Sequence, residues 1–181
     1  MAKIDKRVEI LLRYLIILVA GLGNLFIFYK IFTPLTTYLS AFILNLFSKI
    51  IIIEGIIIFN STPIKLIPAC VAGAAYYLLF ILIFSTPKIK LKKRIKILLF
   101  SFSLLFILNV LRIVILALIN QSVYFESIHL VFWYGVSTLF VVGVWIASVK
   151  VFKIKEIPVY SDFKFLLGAL RKPAKKSKRR K

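Results

Sequence analysis

The residues best suited to chemistry are one cysteine, one histidine and one arginine, each close to the end of an apolar segment. Cys70 and His129 are the only residues of their types in the chain, and Arg112 lies inside the apolar run Ile97 to Ile119. A thiolate nucleophile, an imidazole that transfers protons and a guanidinium that holds an oxyanion are sufficient for acyl transfer. Such chemistry requires that the fold bring the three side chains together.

Arg112 is the most informative of the three, because a charged side chain near the bilayer centre costs about 2.5 to 3.5 kcal/mol on insertion scales. Such residues usually face a partner or a water-filled cavity. Asn109 lies one helical turn earlier, where it would either orient the guanidinium or form a hydrogen bond with another helix. Arg112 lies roughly 12 Å along the helix from Asn120, and therefore in one half of the bilayer.

Each of these residues also has a structural interpretation. A lone cysteine among Ala and Gly residues, such as Cys70, is usually a small packing residue. A lone histidine at a helix start, such as His129, is often an interfacial residue with satisfied hydrogen bonds. Glu126 would orient His129 or be an exposed loop acid. One cysteine and one histidine fall short of the three or four protein ligands that zinc requires, so no metal and no other cofactor is expected.

The composition predicts an integral membrane protein. The chain has 181 residues, 61% of them hydrophobic, and a mean hydropathy of +0.99. A water-soluble globule of this size cannot bury so much apolar surface, so the bilayer must act as its solvent.

The formal charge of +20 is concentrated at segment ends. Residues 3–13, 88–96 and 150–181 contain 22 of the 26 Lys and Arg residues. Short basic flanks of apolar segments usually stay in the cytoplasm. Anionic lipid headgroups contribute about 1 kcal/mol per basic residue. Binding to these headgroups is therefore the expected role of the C-terminal basic tail, Lys172 to Lys181, and no nucleic acid is expected as a partner.

The expected fold is an all-α polytopic membrane protein, a helical transmembrane bundle of at least four spans. Pro34 is expected to end the first span, and residues 35 to 48 to form a short helix in the outer interface. Residues 1–150 would form the membrane-embedded catalytic domain, and residues 151–181 a basic cytoplasmic tail. The predicted spans are Tyr14 to Phe32, Ala69 to Phe84, Ile97 to Ile119 and Ile128 to Val149.

Two shorter segments lie outside these spans. Ile50 to Phe59 reads as a β-hairpin with its turn at Glu54-Gly55, and Asn60 to Pro63 as a second turn. A helical hairpin that crosses twice is the alternative and would give six spans. After Pro158, Ser161-Asp162 is expected to cap a short amphipathic helix, Phe163 to Leu170.

This topology places the three candidate residues at one depth. With both termini in the cytoplasm, Cys70 begins a descending helix, Arg112 lies near the end of a rising one, and His129 begins another descending one. All three then lie in the outer half of the membrane, and the predicted active site faces outside.

These residues resemble the exosortase/archaeosortase family of membrane-embedded cysteine transpeptidases, and an archaeosortase in particular. The similar motifs are Ala69-Cys70 at the head of a small-residue helix, Asn109 to Arg112 in the next, and Ser127 to His129 at the start of the one after. The order Cys, Arg, His is that of the family. The resemblance covers about residues 35 to 150.

The resemblance implies that Cys70 forms a thioester with a target protein, that His129 transfers protons and that Arg112 stabilises charge. It also implies targets with a C-terminal recognition motif, a transmembrane helix and a basic tail, and an acceptor that is a lipid. The chain departs from the family in two respects. The family commonly has Ser-Gly directly after the cysteine, where this chain has Val71-Ala72, and larger members have more spans.

A function of a different class fits the same sequence. In a non-catalytic membrane subunit or small channel, Arg112 would be a buried structural charge and Cys70 a packing residue. The two hypotheses differ at Cys70, because only the enzyme requires the thiol.

Overall fold

The N-terminal part of the chain forms two helices, α1 (Lys6–Gly21) and α2 (Phe26–Leu44). The structure, a computed structural model, describes residues 6–171 and side chains up to residue 168, so the predicted basic tail Lys172 to Lys181 lies outside the described residues. The expectation of one helix from Tyr14 to Phe32 is wrong, because the chain breaks between α1 and α2.

The break is caused by three consecutive residues with left-handed backbone conformation: Gly23 (φ 69), Asn24 (φ 53) and Leu25 (φ 62). Gly and Asn adopt this conformation most readily, which explains why the helix ends here. Pro34, which was expected to end the first helix, lies inside α2. The predicted interfacial helix 35 to 48 is therefore mostly the second half of α2.

A three-stranded antiparallel sheet follows, with strands β1 (Ile50–Ile53), β2 (Ile56–Phe59) and β3 (Thr62–Lys65) in the order β1-β2-β3. Both turns, Glu54-Gly55 and Asn60-Ser61, have positive φ at both residues, as two-residue type I′ hairpins require. The predicted hairpin is confirmed and the helical alternative is wrong. Thr62 and Pro63 belong to β3 rather than to the turn.

The segment with the cysteine is a single-turn helix, α3 (Pro68–Val71), followed by α4 (Gly73–Phe84). Ala72 between them is left-handed (φ 59), so the predicted continuous helix Ala69 to Phe84 is broken there. With 12 residues, α4 is apolar but much shorter than the roughly 20 residues that a complete crossing needs.

The C-terminal half contains α5 (Leu91–Leu118) and a continuous helical run composed of α6 (Phe125–Val131), a π-helical turn (Phe132–Val136) and α7 (Ser137–Val151). Within residues 6–171, three helical runs are long and apolar enough to cross a membrane, α2, α5 and Phe125–Val151. The chain is thus mostly helical with a small sheet, and its long apolar helices are compatible with a membrane protein.

Helices α2, α4 and α5 pack with alternating direction around an aromatic core. The α5 residue Phe102 contacts Tyr76 of α4 and both Phe28 and Phe32 of α2. The ring of Phe32 stacks on that of Tyr76 with centroids 3.8 Å apart. Other contacts join the start of α5 to the end of α4 and the end of α5 to α3. Helix α5 is therefore antiparallel to α4 and parallel to α2.

The sheet closes one end of this bundle. Ile57 and Phe59 of β2 are buried against Leu44 of α2 and against Val110 and Val114 of α5. This apolar contact places the chain just before α3 beside the second half of α5, which positions Cys70 near Arg112.

Two buried arginines organise the opposite end. Arg94 donates hydrogen bonds to the carbonyls of Ile83, Phe84 and Thr86, at 2.9, 2.7 and 3.0 Å, and so satisfies the free carbonyls at the end of α4. Arg13 forms a buried ion pair with Asp162 at 2.9 Å.

The last described helix, α8 (Tyr160–Arg171), is held by that ion pair. A helix was predicted at Phe163 to Leu170, and it is present but begins three residues earlier. Asp162 therefore lies in the first turn and pairs with Arg13, whereas the sequence suggested a cap formed with Ser161. The long-range partner could not be read from the local sequence.

Candidate active site

Cys70 is held at the end of the bundle that the sheet closes. Pro68 occupies the first turn of α3, where a missing N–H is tolerated, and the helix ends at the left-handed Ala72. The thiol of Cys70 is free and partly exposed. Its backbone carbonyl accepts two hydrogen bonds from α5, from Asn109 Nδ2 at 3.0 Å and Arg112 Nη2 at 3.0 Å. Side chains of α5 thus hold Cys70 in place through the backbone carbonyl of the cysteine.

Asn109 and Arg112 of α5 both bind the backbone of α3. Asn109 also donates to the carbonyl of Val71 at 3.4 Å, so it bonds another segment, which was one of the two roles predicted for it. Asn109 and Arg112 are linked through the carbonyl of Cys70 that both bind.

Arg112 is buried, with 7% of its surface exposed. Its Nη1 donates to the hydroxyl of Ser137, which donates in turn to the carbonyl of Phe132 at 2.8 Å. Arg112 therefore bridges α3 and the start of α7. These bonds offset part of the cost of removing a guanidinium from water, which explains why an arginine is tolerated in an apolar helix.

His129 lies on α6 and is half-buried in an aromatic environment. Its ring stacks on Phe125 with centroids 5.6 Å apart and lies 5.8 Å from the ring of Trp133 at a tilted angle. Glu126 is exposed. In the part of the chain that the structure describes, no hydrogen bond or ion pair joins Glu126 to His129. The aromatic rings, rather than a carboxylate, orient the imidazole.

One cavity joins the three candidate residues. It is small, about 30 Å³, and it is lined by Cys70, Arg112 and His129 together with apolar side chains of α5 and the π-helical turn. A space of this size holds about one water molecule. The structure thus brings Cys70, Arg112 and His129, from three separate helices, to the wall of one cavity.

Sequence reasoning missed Ser137 and the π-helical turn. Ser137 follows His129 by eight residues, close to two helical turns, and this spacing was the available signal. The π-helical turn Phe132–Val136 supplies the carbonyl that Ser137 binds and begins three residues after His129. Such turns occur frequently at functional sites.

Within residues 6–171, no group of three or more His, Cys, Asp or Glu residues is arranged to hold a metal ion. Searches for related proteins found no matching family model, no matching curated protein and no matching solved structure. Function must therefore be argued from the geometry of this cavity.

Proposed function

We propose that the chain is a membrane-embedded cysteine protease and transpeptidase that cleaves C-terminal sorting signals and transfers the new C-terminus to an acceptor. The observation that supports this proposal is the shared cavity of Cys70, Arg112 and His129. Three residue types that suffice for acyl transfer meet there, although 58 residues of chain lie between the first and the last.

In the first step, the Cys70 sulfur attacks the carbonyl carbon of the scissile peptide bond while His129 holds the thiol proton. When the C–N bond breaks, His129 gives that proton to the leaving amine, and a thioester on Cys70 remains. In the second step, the hydroxyl or amine of an acceptor attacks the thioester and gives its proton to His129. Cys70 leaves as the thiolate and regains the proton from His129.

Arg112 stabilises the oxyanion of both tetrahedral intermediates. A guanidinium has five N–H donors, and two hydrogen bonds from Arg112 reach Cys70 and Ser137. Donors therefore remain for a substrate oxygen, and a charge in a site that excludes water is worth more than one in solution. Because the cavity holds only about one water, a peptide must enter by displacing the partly exposed wall at Trp133.

The distribution of charge supports an outward-facing site. Lys88, Arg94 and α8 lie at the end of the bundle opposite the cavity, since Arg94 and Arg112 are roughly 27 Å apart along α5. Basic flanks favour the cytoplasm. Both termini are then cytoplasmic, and the cavity lies in the outer leaflet of the cell membrane.

The substrate class follows from the resemblance described above, namely exported proteins with a C-terminal motif, a transmembrane helix and a basic tail, with a lipid as acceptor. The backbone at Ala72 gives this resemblance additional support. Its left-handed conformation (φ 59) favours glycine, and glycine is the residue that the family has at this place after the cysteine.

The test is a Cys70→Ala variant in the native host. We expect exported proteins to keep their C-terminal segments, as seen by mass spectrometry of membrane proteins, while the variant is inserted at normal levels. Val71→Ala is the control, because it alters the neighbouring side chain and leaves the thiol. Normal processing with Cys70→Ala, or full activity with Cys70→Ser, would refute the proposal.

A second function is favoured by the bonds that Arg112 makes. They are also what a purely structural arginine in a non-catalytic subunit or small channel would make. That function tolerates Cys70→Ala and not Arg112→Ala, whereas the enzyme tolerates neither. Comparing the two variants in one host decides between them.

A further inference from the structure

A second cavity lies at the end of the described chain opposite Cys70. It has a volume of about 570 Å³ and is lined by α1, α8, Pro87 and Lys88 of the loop after α4, and residues 155–157. This volume lies in the range of small-ligand pockets, about 300 to 1,000 Å³. The chemistry proposed for Cys70 does not involve it.

The lining is charged, with positive charge in excess. Its five basic side chains outnumber its three acidic ones, and apolar side chains of α1 and α8 form the rest of the wall. Lys6 lies over the ring of Phe165, 5.6 Å from its centroid, and Lys88 pairs with Glu156 at 2.6 Å. Lys155 and Lys164 make no hydrogen bond or ion pair within the described residues. An anion would find two unengaged ammonium groups here.

The buried carboxylate of Asp162 is engaged by the protein itself. Asp162 is 4% exposed, its Oδ1 accepts the hydrogen bond from Arg13, and the Tyr14 hydroxyl interacts with the same carboxylate. The groups of the lining that remain available to a ligand are therefore the ammonium groups of Lys155 and Lys164.

We propose that this cavity binds the headgroup of an anionic phospholipid. The phosphodiester lies against Lys155 and Lys164. The cavity adjoins the ends of apolar helices, where lipid headgroups are concentrated. The described residues that line it all precede residue 166, so the proposed site is built from residues other than the basic tail.

The experiment is native mass spectrometry of the full chain in detergent with added phosphatidylglycerol, an anionic lipid with a phosphodiester headgroup. The pocket variant is Lys155→Ala/Lys164→Ala. The control, Lys92→Ala/Lys93→Ala, removes the same charge from exposed lysines at the start of α5 that do not line the cavity. Both variants keep the tail, so its contribution to lipid binding is the same in each.

Each lysine near an anionic headgroup contributes about a fivefold increase in affinity. We therefore expect phosphatidylglycerol to bind about 30-fold more weakly to the pocket variant and within about twofold of wild type to the control. Equal weakening in the two variants, or none in either, would show that the cavity does not bind the lipid.

A further probe, glycerol 1-phosphate, tests the source of the anion. Failure to displace the lipid supports a membrane ligand, and displacement at micromolar concentration would overturn it in favour of a soluble phosphate.

Discussion

Replacing Arg112 with lysine tests how the cysteine is held. The guanidinium spans from the carbonyl of Cys70 to the hydroxyl of Ser137, whereas an ammonium is a single point that reaches one of the two. The lost bond involves a charged donor, so its removal costs about 1.5 to 3 kcal/mol. For a chain of this size that corresponds to a decrease in melting temperature of roughly 3 to 12 °C.

Thiol labelling provides the second readout. Cys70 is the only cysteine, so a maleimide reports on one residue without further mutation. Lysine keeps the positive charge, and a change in rate therefore reflects the position of α3 rather than its electrostatics. We expect faster labelling in Arg112→Lys, because α3 loses one of the bonds that hold it against α5.

Arg94→Lys is the matched control. Arg94 is the other buried arginine of α5, and it binds the carbonyls at the end of α4 far from the thiol. We expect a similar loss of thermal stability and an unchanged labelling rate for Cys70. If Arg112→Lys melts and labels like the wild type, or if both variants change the labelling equally, the bridging role of Arg112 is wrong.

Three further predictions concern packing, backbone conformation and charge. Gly21→Ala should lower the free energy of unfolding by about 1 to 3 kcal/mol, because its Cβ would clash with the hydroxyl of Tyr77. Gly143→Ala, which has open space around its Cβ, should raise that free energy by about 0.5 to 1 kcal/mol in the same denaturation assay. Ala72→Gly should stabilise the chain by about 0.5 to 1 kcal/mol by relieving a left-handed alanine, and a lower melting temperature would contradict this. The hydrogen bond from Lys88 holds the pKa of Glu156 below its usual value, so the pair stabilises the fold above pH of about 4.3, and this contribution is lost as the pH falls through the lowered pKa. The melting temperature should therefore fall as the pH is lowered through the pKa of Glu156. In a Lys88→Met variant, which lacks this ion pair, that part of the fall should be absent.

The local signals in the sequence predicted local structure well. Glu54-Gly55 between two runs of isoleucine specifies a tight hairpin, and the structure has it in that register. The third strand was missed because Thr62-Pro63 is typical of a turn when no partner strand is known. The end of the first helix was predicted at Phe32, whereas α1 ends at Gly21. Pro34 was given more weight than Gly23 and Asn24, although proline is tolerated in helices that neighbouring helices support.

Long-range partners could not be predicted in the same way. The shared depth of Cys70, Arg112 and His129 followed from the alternation of helix directions, and the structure places all three on one cavity. The bridge from Arg112 to Ser137 depends on the π-helical turn, and local sequence does not indicate the register of such a turn. The pairing of Asp162 with Arg13 joins residues 149 positions apart, and no periodicity specifies it.

The most direct test of the proposed chemistry is a mass spectrum of the full chain isolated from its native membranes into acid, which preserves thioesters. We predict a fraction of the chain with a peptidyl or protein adduct on Cys70 that hydroxylamine removes. The adduct should be absent from the Cys70→Ala variant and retained in Val71→Ala. An unmodified Cys70 thiol in wild-type chains, under conditions in which exported proteins are being processed, would contradict a thioester mechanism at this cavity.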